Sequence, residues 1–183
     1  VESCKQAKIW QEKYNSDFRM SINLSARQFR SNQLVIKIAD CLEQTNLVAS
    51  TIELEITESI LINNTAAVKV TMQELESLGL RIALDDFGTG YSSLSYLKQF
   101  PINTIKIDRS FVRDITTDED DAAIVSAIIA IAKSLKMDLV AEGVETQQQL
   151  DFVTDNGCAV VQGYLFSKPL AVEEMESLLS QSV

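Results

Sequence analysis

The stretch RIALDDFGTG, residues 81–90, decides the fold and raises the main chemical question about this chain. An apolar segment ends in Asp85 and Asp86, and a glycine-rich turn follows at once. Two adjacent carboxylates repel each other, and each loses hydration free energy when it is buried. Either a bound cation stabilises the pair, or the two side chains are simply exposed in an Asx-type turn.

Five further segments have the same β-rich character, and amphipathic helical segments separate them. The six predicted strands are 19–25, 52–57, 81–87, 104–109, 138–144 and 160–166. The predicted helices are the N-terminal segment up to Tyr14, 32–45, 66–79, 120–136 and 171–181. Strands that alternate with helices predict a parallel α/β sheet with right-handed crossovers.

Two parallel architectures are compatible with this alternation: a doubly wound open sheet and a TIM-like (β/α) barrel. A complete barrel has eight strands and about 250 residues. Six strands in 183 residues would be an incomplete barrel that lacks its first quarter. Because no linker rich in Pro, Gly or Ser interrupts the chain, we expect residues 1–183 to form one domain.

Polar side chains lie at or just beyond the C-terminal end of every predicted strand. In chain order they are Asn23, Glu55 with Glu58, Asp85 with Asp86, Lys106 with Asp108, Glu142 with Glu145, and Gln162. Both parallel architectures have their active sites at this edge. A single acidic residue at a strand end is usually just solvated, but the same feature at six strands favours a functional site.

Apolar and polar residues also alternate within the strands. In the segment 52–57, the isoleucines and the leucine alternate with Glu53, Glu55 and Thr57. Helices cover the outside of a barrel, so we expect the apolar set to face them and the charged set to face the barrel interior.

The composition excludes several functions. The chain has no histidine, which rules out histidine-based zinc sites, the Ser-His-Asp triad and histidine bases. A formal net charge of −10 argues against binding to a nucleic acid polymer or an anionic membrane surface. Cys4, Cys41 and Cys158 lie far apart without a CxxC pair, which favours reduced thiols and a cytoplasmic location.

Carboxylates and an amide at the strand ends indicate chemistry with a hard metal ion. The oxygen ligands suited to Mg²⁺ or Mn²⁺ are Asn23, Glu55, Asp85 and Asp86. Two such ions, about 3.5–4 Å apart, can activate a water molecule and stabilise the displacement at a phosphodiester. Lys106 would neutralise developing negative charge or orient the water. Glu142 would act as general base if burial raises its pKa.

Five segments resemble the EAL domain of bacterial cyclic-di-GMP phosphodiesterases. They are INLSARQF, ELEITES, LDDFGTGYSSLSYLKQFPINTIKIDRSFV, LVAEGVET and VVQGYLFSKPL, and they cover nearly the whole chain. The resemblance implies a modified TIM barrel that hydrolyses cyclic di-GMP to linear pGpG. It also implies Mg²⁺ or Mn²⁺ as the cofactor and inhibition by Ca²⁺.

The resemblance assigns roles to the strand-end residues. It makes Lys106 the catalytic lysine that positions water, and Glu142 a residue of the metal site or the base. Glu58 would anchor the loop that follows Asp86, and this loop would couple metal binding, substrate binding and dimerisation. The metal ligands would be Asn23, Glu55, Asp85 and Asp86, surrounded by Asp108, Glu145 and Gln162.

The chain departs from the family pattern in one respect, because the Glu-Ala-Leu motif is absent. In the family this motif lies upstream of the strand that carries Asn23, and its glutamate is a metal ligand. We therefore expect residues 1–183 to be a partial domain without its first two strands, weakly active or inactive alone, and self-associating. A sensor or GGDEF domain could precede it in a longer protein. The alternative to an enzyme is an inactive cyclic-di-GMP receptor or interaction module.

Overall fold

The computed structural model describes residues 2–14, 18–62, 65–90 and 97–181. The strands are β1 (Met20–Asn23), β2 (Ile52–Thr57), β3 (Arg81–Phe87), β4 (Thr104–Ile107), β5 (Asp138–Glu142) and β6 (Val160–Gln162). The helices are α1 (Glu2–Tyr14), α2 (Ala26–Phe29), α3 (Leu34–Thr45), α4 (Glu58–Ile62), α5 (Thr65–Ser77), α6 (Arg109–Asp114), α7 (Glu119–Leu135), α8 (Gln147–Asp155) and α9 (Val172–Gln181). Within the described ranges, no helix has both the length and the hydropathy of a membrane span.

All six strands are parallel, and they lie in the sheet in the same order as in the chain. A doubly wound sheet reverses its strand order at a switch point, whereas this sheet keeps one direction throughout. The strands form a curled half-barrel with helices around it. The structure therefore decides between the two architectures, and the predicted TIM-like incomplete barrel with six strands is confirmed.

Several strands end earlier than the sequence predicts, because a helix cap or a glycine follows them. β1 stops before Ser25, whose side chain begins α2 with a capping box. β4 stops before Asp108, whose carboxylate accepts a hydrogen bond from the Ser110 N–H at 2.9 Å and so caps α6. β5 stops before Gly143, which has a φ of 71°. Short helices thus begin directly at the strand ends and hold the side chains there.

Strand β2 is buried on both of its faces. Its apolar side chains lie in the hydrophobic core, which also contains Met72 and Leu75 of α5. At the alternate positions, Glu53 and Glu55 are buried as well, with exposures of 3% and 6%. The structure follows the predicted alternation. Since buried carboxylates need partners, the interior of the half-barrel has to supply cations.

An ion-pair network surrounds Glu53 at the N-terminal ends of the strands. Glu53 accepts a hydrogen bond from the Thr104 hydroxyl at 2.7 Å, and it pairs with Arg81 at 3.3 Å and Arg19 at 3.5 Å. Both arginines also pair with Asp138. The charges of two carboxylates and two guanidinium groups therefore cancel at this end. The network joins β2, β3, β4 and β5.

The helices next to the two edge strands contact each other. Helix α1 precedes β1, and α9 follows β6. Trp10 Nε1 and Lys13 Nζ donate to the Glu176 carboxylate at 3.2 and 2.6 Å, and the Tyr14 hydroxyl donates to the Glu176 carbonyl at 3.1 Å. The helical layer thus connects the two edges of the open sheet.

From the Glu53 network we predict that replacing Arg81 destabilises the fold. We expect Arg81→Met to lower the free energy of unfolding by about 2–3 kcal/mol, because it leaves a buried carboxylate poorly compensated. Urea unfolding followed by circular dichroism measures this change. The control is Arg113→Met, since Arg113 pairs with Asp114 at the exposed surface and should change stability by less than about 0.5 kcal/mol. Equal losses in the two variants would contradict the role of the network.

Candidate active site

Lys106 of β4 lies at the centre of a carboxylate cluster near the C-terminal ends of the strands. Its Nζ is 2.8 Å from Glu55, 3.0 Å from Asp85 and 2.7 Å from Glu142. Lys106 itself is only 5% exposed. The three carboxylates come from β2, β3 and β5, so the cluster depends on the assembled sheet.

A bulge in β3 brings both adjacent aspartates into this cluster. Between Leu84 and Phe87, β3 has one residue more than the facing segment of β4. Asp86 has a left-handed backbone conformation with a φ of 54°. Successive side chains of a regular strand point to opposite faces, yet oxygens of Asp85, Asp86 and Glu142 all lie within 4.8 Å of one another. The bulge therefore turns the Asp86 side chain to the side of Asp85.

Two further predicted site residues contact Asp86 and the turn that follows it. The Asp86 carboxylate lies beside that of Asp108, the residue that caps α6, and after burial and the charge of Asp85 the charge of Asp108 also raises the pKa of Asp86. Glu58, at the start of α4, is buried against the backbone of Gly90, where an added Cβ would lie 3.1 Å from Glu58 Oε2. A larger residue at position 90 would therefore push against the Glu58 carboxylate. The rest of the predicted coupling loop, residues 91–93, lies outside the described residues.

The other predicted site residues lie at the rim of the cluster. Asn23 on β1 is opposite Glu55 in the sheet register, and its side chain is exposed. Gln162 on β6 is opposite Glu142 and is also exposed. Glu145 is exposed in the loop after β5. The structure thus brings together Glu55, Asp85, Asp86, Lys106 and Glu142, and it leaves these three on the edge strands and loops.

The charges of the cluster shift the pKa values of its members. Burial lowers the pKa of Lys106, but hydrogen bonds to Glu142 and Glu55 outweigh burial and raise the pKa above its ordinary value. Burial raises the pKa of Glu142, and the charge of Asp85 adds to this effect, while Lys106 opposes it. Burial and the charge of Asp85 also raise the pKa of Asp86. Four carboxylates around one ammonium leave the site negative, which favours a cation.

The donor atoms fit a divalent cation that prefers oxygen ligands. The three carboxylates of Asp85, Asp86 and Glu142 are close enough to share an ion. Asp85 Oδ1 is buried and pairs with Lys106, but among the described residues it accepts no well-aligned hydrogen bond. Carboxylates of this kind are the ligands that Mg²⁺ and Mn²⁺ prefer.

The sequence patterns do not single out the residues that hold the loop after β5. Gln149 is buried in α8, and its side chain bonds to the loop that follows Glu142. Its signal in the sequence is the spacing T-x-x-Q, Thr146 to Gln149, which is typical of a capping box. That signal marks a helix start but does not identify what the glutamine contacts elsewhere.

A half-barrel of parallel β/α units with a lysine–carboxylate cluster at its strand ends defines a β/α-barrel domain with a candidate metal site. The family model described as the EAL domain matches residues 1–169. The chain belongs to the EAL domain family.

Comparisons with individual proteins agree with this membership. The cyclic di-GMP phosphodiesterase NbdA of Pseudomonas aeruginosa is 45% identical over 161 residues, which are 88% of this chain and 21% of NbdA. The structure of the PaMucR phosphodiesterase in its c-di-GMP complex has a TM-score of 0.92 and 42% identity, covering 95% of this chain and 70% of that chain. Klebsiella pneumoniae BlrP1, in a manganese and cyclic di-GMP complex, has a TM-score of 0.81 and 31% identity over 92% of this chain and 43% of that chain. The chain thus spans about a fifth of NbdA.

From the bulge we predict that replacing Asp86 has opposite effects on the stability of the fold and on cation binding. We expect Asp86→Asn to raise the free energy of unfolding without metal by about 0.5–1 kcal/mol, because asparagine tolerates the left-handed conformation and removes one negative charge. The same change should weaken Mn²⁺ binding about tenfold or more, which is about 1.4 kcal/mol. Urea unfolding and calorimetric Mn²⁺ titration measure the two effects.

Asp40→Asn is the matched control. Asp40 is exposed on α3, and its replacement removes the same single negative charge at a position far from the cluster in sequence. It should leave Mn²⁺ binding unchanged. If Asp86→Asn binds Mn²⁺ as tightly as the control does, Asp86 is not a ligand.

Proposed function

We propose that the protein to which this chain belongs hydrolyses cyclic di-GMP to linear pGpG in a reaction that needs Mg²⁺ or Mn²⁺. The observation that carries this proposal is the buried Lys106 ammonium held by Glu55, Asp85 and Glu142. NbdA, which is named a cyclic di-GMP phosphodiesterase, supports the substrate, as does the c-di-GMP complex of PaMucR.

The proposed metal ligands are Asn23, Glu55, Asp85 and Asp86, with Glu142 in the same cluster. The negative charge of the site supports a cation, because an anionic phosphodiester would otherwise be repelled. The manganese complex of BlrP1 supports the choice of ion. When bound, the divalent ion supplies Lewis-acid polarisation of the phosphate and a more acidic water. Calcium, which accepts looser and larger coordination, is proposed to inhibit.

The residues of the chain would bind the phosphate and move the proton. Lys106 keeps its charge, since its pKa is raised, and its ammonium would stabilise the negative charge that develops on the phosphate oxygens. Glu142, whose pKa is raised, would accept the proton of the attacking water. The water oxygen forms a bond to phosphorus, one P–O bond of the cyclic ester breaks, and the leaving oxygen takes up a proton. The ring opens to the linear dinucleotide.

The residues around this centre have proposed supporting roles. Asp108, whose carboxylate lies beside Asp86, would add negative charge next to the cation site. Glu58 anchors the turn at Gly90. Glu145 and Gln162, which are exposed near the strand ends, would contact the substrate. A cavity lined in part by Glu55, Lys106 and Gln162 lies beside the cluster and would receive part of the dinucleotide.

Chromatography of cyclic di-GMP incubated with the full-length protein tests the proposal. Glu55→Gln and Asp85→Asn should abolish turnover in Mg²⁺ or Mn²⁺, because each removes a carboxylate of the cluster. Lys106→Ala should lower kcat about 10²–10³-fold with a smaller change in KM, since charge stabilisation acts mainly in the transition state. Asp40→Asn is the control and should retain full activity.

The outcomes separate an enzyme from a receptor. Formation of pGpG in Mg²⁺ or Mn²⁺, and not in Ca²⁺, supports the phosphodiesterase. Tight binding of cyclic di-GMP without any product would instead indicate an inactive receptor. Unchanged kcat in Glu55→Gln or Asp85→Asn would overturn the assignment of the cluster.

We also propose that the 183-residue chain alone self-associates and is weakly active or inactive, as a partial domain. Among the described strands, β1 and β6 each pair on one side, and Val160, Tyr164 and Phe166 are exposed near β6. Unpaired edges with apolar side chains favour association. Sedimentation velocity should therefore give a mass above 20.3 kDa. A stable monomer at high concentration would contradict the proposal.

In the longer protein, a sensor or GGDEF domain is the proposed upstream partner of this domain. A cytoplasmic location is proposed as well, because the described cysteines Cys4, Cys41 and Cys158 are buried free thiols.

A further inference from the structure

The side chain of Gln149 connects the loop after β5 to helix α6. Gln149 is 6% exposed. Its Oε1 accepts hydrogen bonds from the backbone N–H groups of Glu145 at 2.7 Å and Thr146 at 3.0 Å. Its Nε2 donates to the carbonyl of Arg113, in the last turn of α6, at 3.0 Å. A capping glutamine needs only the contacts to its own loop, so the bond to α6 is an additional one.

The loop that follows Glu142 is held tightly on its other sides too. Gly143 lies directly against Arg109, since an added Cβ would be 2.6 Å from the Arg109 Cβ. Val144 is fully buried; its N–H donates to the Gln162 carbonyl at 3.1 Å, and its carbonyl accepts from the Leu165 N–H at 3.0 Å. The backbone next to Glu142 is therefore fixed between α6 and the segment after β6.

Helix α6 extends this connection to the aspartates of β3. Its N-cap, Asp108, has its carboxylate beside that of Asp86. The other end of α6 carries the Arg113 carbonyl that Gln149 binds. Hydrogen bonds thus run from the end of α6 through Gln149 to the loop beside Glu142, and the start of α6 lies beside Asp86.

We propose that Gln149 is a positioning residue, which fixes the Glu142 carboxylate relative to Lys106, Asp85 and Asp86. Glu142 and the aspartates lie on different strands, and their oxygens must stay within a few ångströms of one another to act together. The amide of Gln149 serves this purpose because it donates to one element and accepts from another. This inference depends on the proposed metal function only for its Mn²⁺ measurement.

Nitrogen-15 NMR of the lysine ammonium groups in the full chain tests the proposal without metal. The Lys106 Nζ signal is assigned by its loss in Lys106→Arg. Gln149→Met, which keeps the length of the side chain and removes both hydrogen-bonding functions, should shift or broaden this signal. It should also weaken Mn²⁺ binding about tenfold, as the loss of an outer hydrogen bond does in metal sites.

Val153→Ala is the matched control. Val153 is fully buried in the same helix, so this substitution should lower the free energy of unfolding about as much as Gln149→Met does. It should leave the Lys106 signal and the Mn²⁺ affinity unchanged. If the Lys106 signal is the same in Gln149→Met as in the wild type, or if it changes equally in both variants, Gln149 has only a structural role.

Gln149→Glu keeps the test decisive if Gln149→Met does not fold. Its carboxylate still accepts from Glu145 and Thr146 but repels the Arg113 carbonyl, so the Lys106 signal should again move. An unmoved signal would overturn the proposal. A wild-type chain that binds no Mn²⁺ would count against the proposed metal function, while the Lys106 signal would still decide the role of Gln149.

Discussion

The contact of one buried ammonium with three carboxylates is the constraint on which this half-barrel depends. Parallel strands bring their C-terminal ends to one edge, and here that edge carries Glu55, Asp85 and Glu142. Burying these groups together without a cation would be costly. Lys106 makes the arrangement possible, but one positive charge leaves the cluster negative. The same feature that stabilises the folded strands therefore leaves a negative charge that favours a second cation.

The β3 bulge shows how the chain places two neighbouring acids on one side. Regular strand geometry would have sent Asp86 into the helical layer, where a carboxylate has no partner. An extra residue and a left-handed φ at a non-glycine position avoid this, at the cost of local strain. The Asp108 carboxylate lies beside Asp86, and the turn that follows packs against Glu58 at Gly90.

The sequence predicts the six strands and the polar edge because alternation and strand–helix order are strong local signals. It does not predict the bulge, since DDF reads as the regular end of a strand. Helix α8 is also not predicted from the apolar periodicity. It has only nine residues, and its clearest sequence signal is the capping box. Glu53 and Arg81 pair across 28 positions of sequence, so no local pattern connects them. Asn23 and Gln162 are predicted as site residues from position alone, and the edge strands leave both exposed.

The two ends of the same strands differ in their charge balance, and this difference separates structure from function. At the N-terminal ends, Glu53 and Asp138 face Arg19 and Arg81, so the charges cancel and nothing further is needed. At the C-terminal ends, four carboxylates face a single lysine. A closed network fits a structural role, because any added ion would find no free charge. An unbalanced one fits the proposed function, in which a divalent cation would balance the charge and allow an anionic phosphodiester to approach.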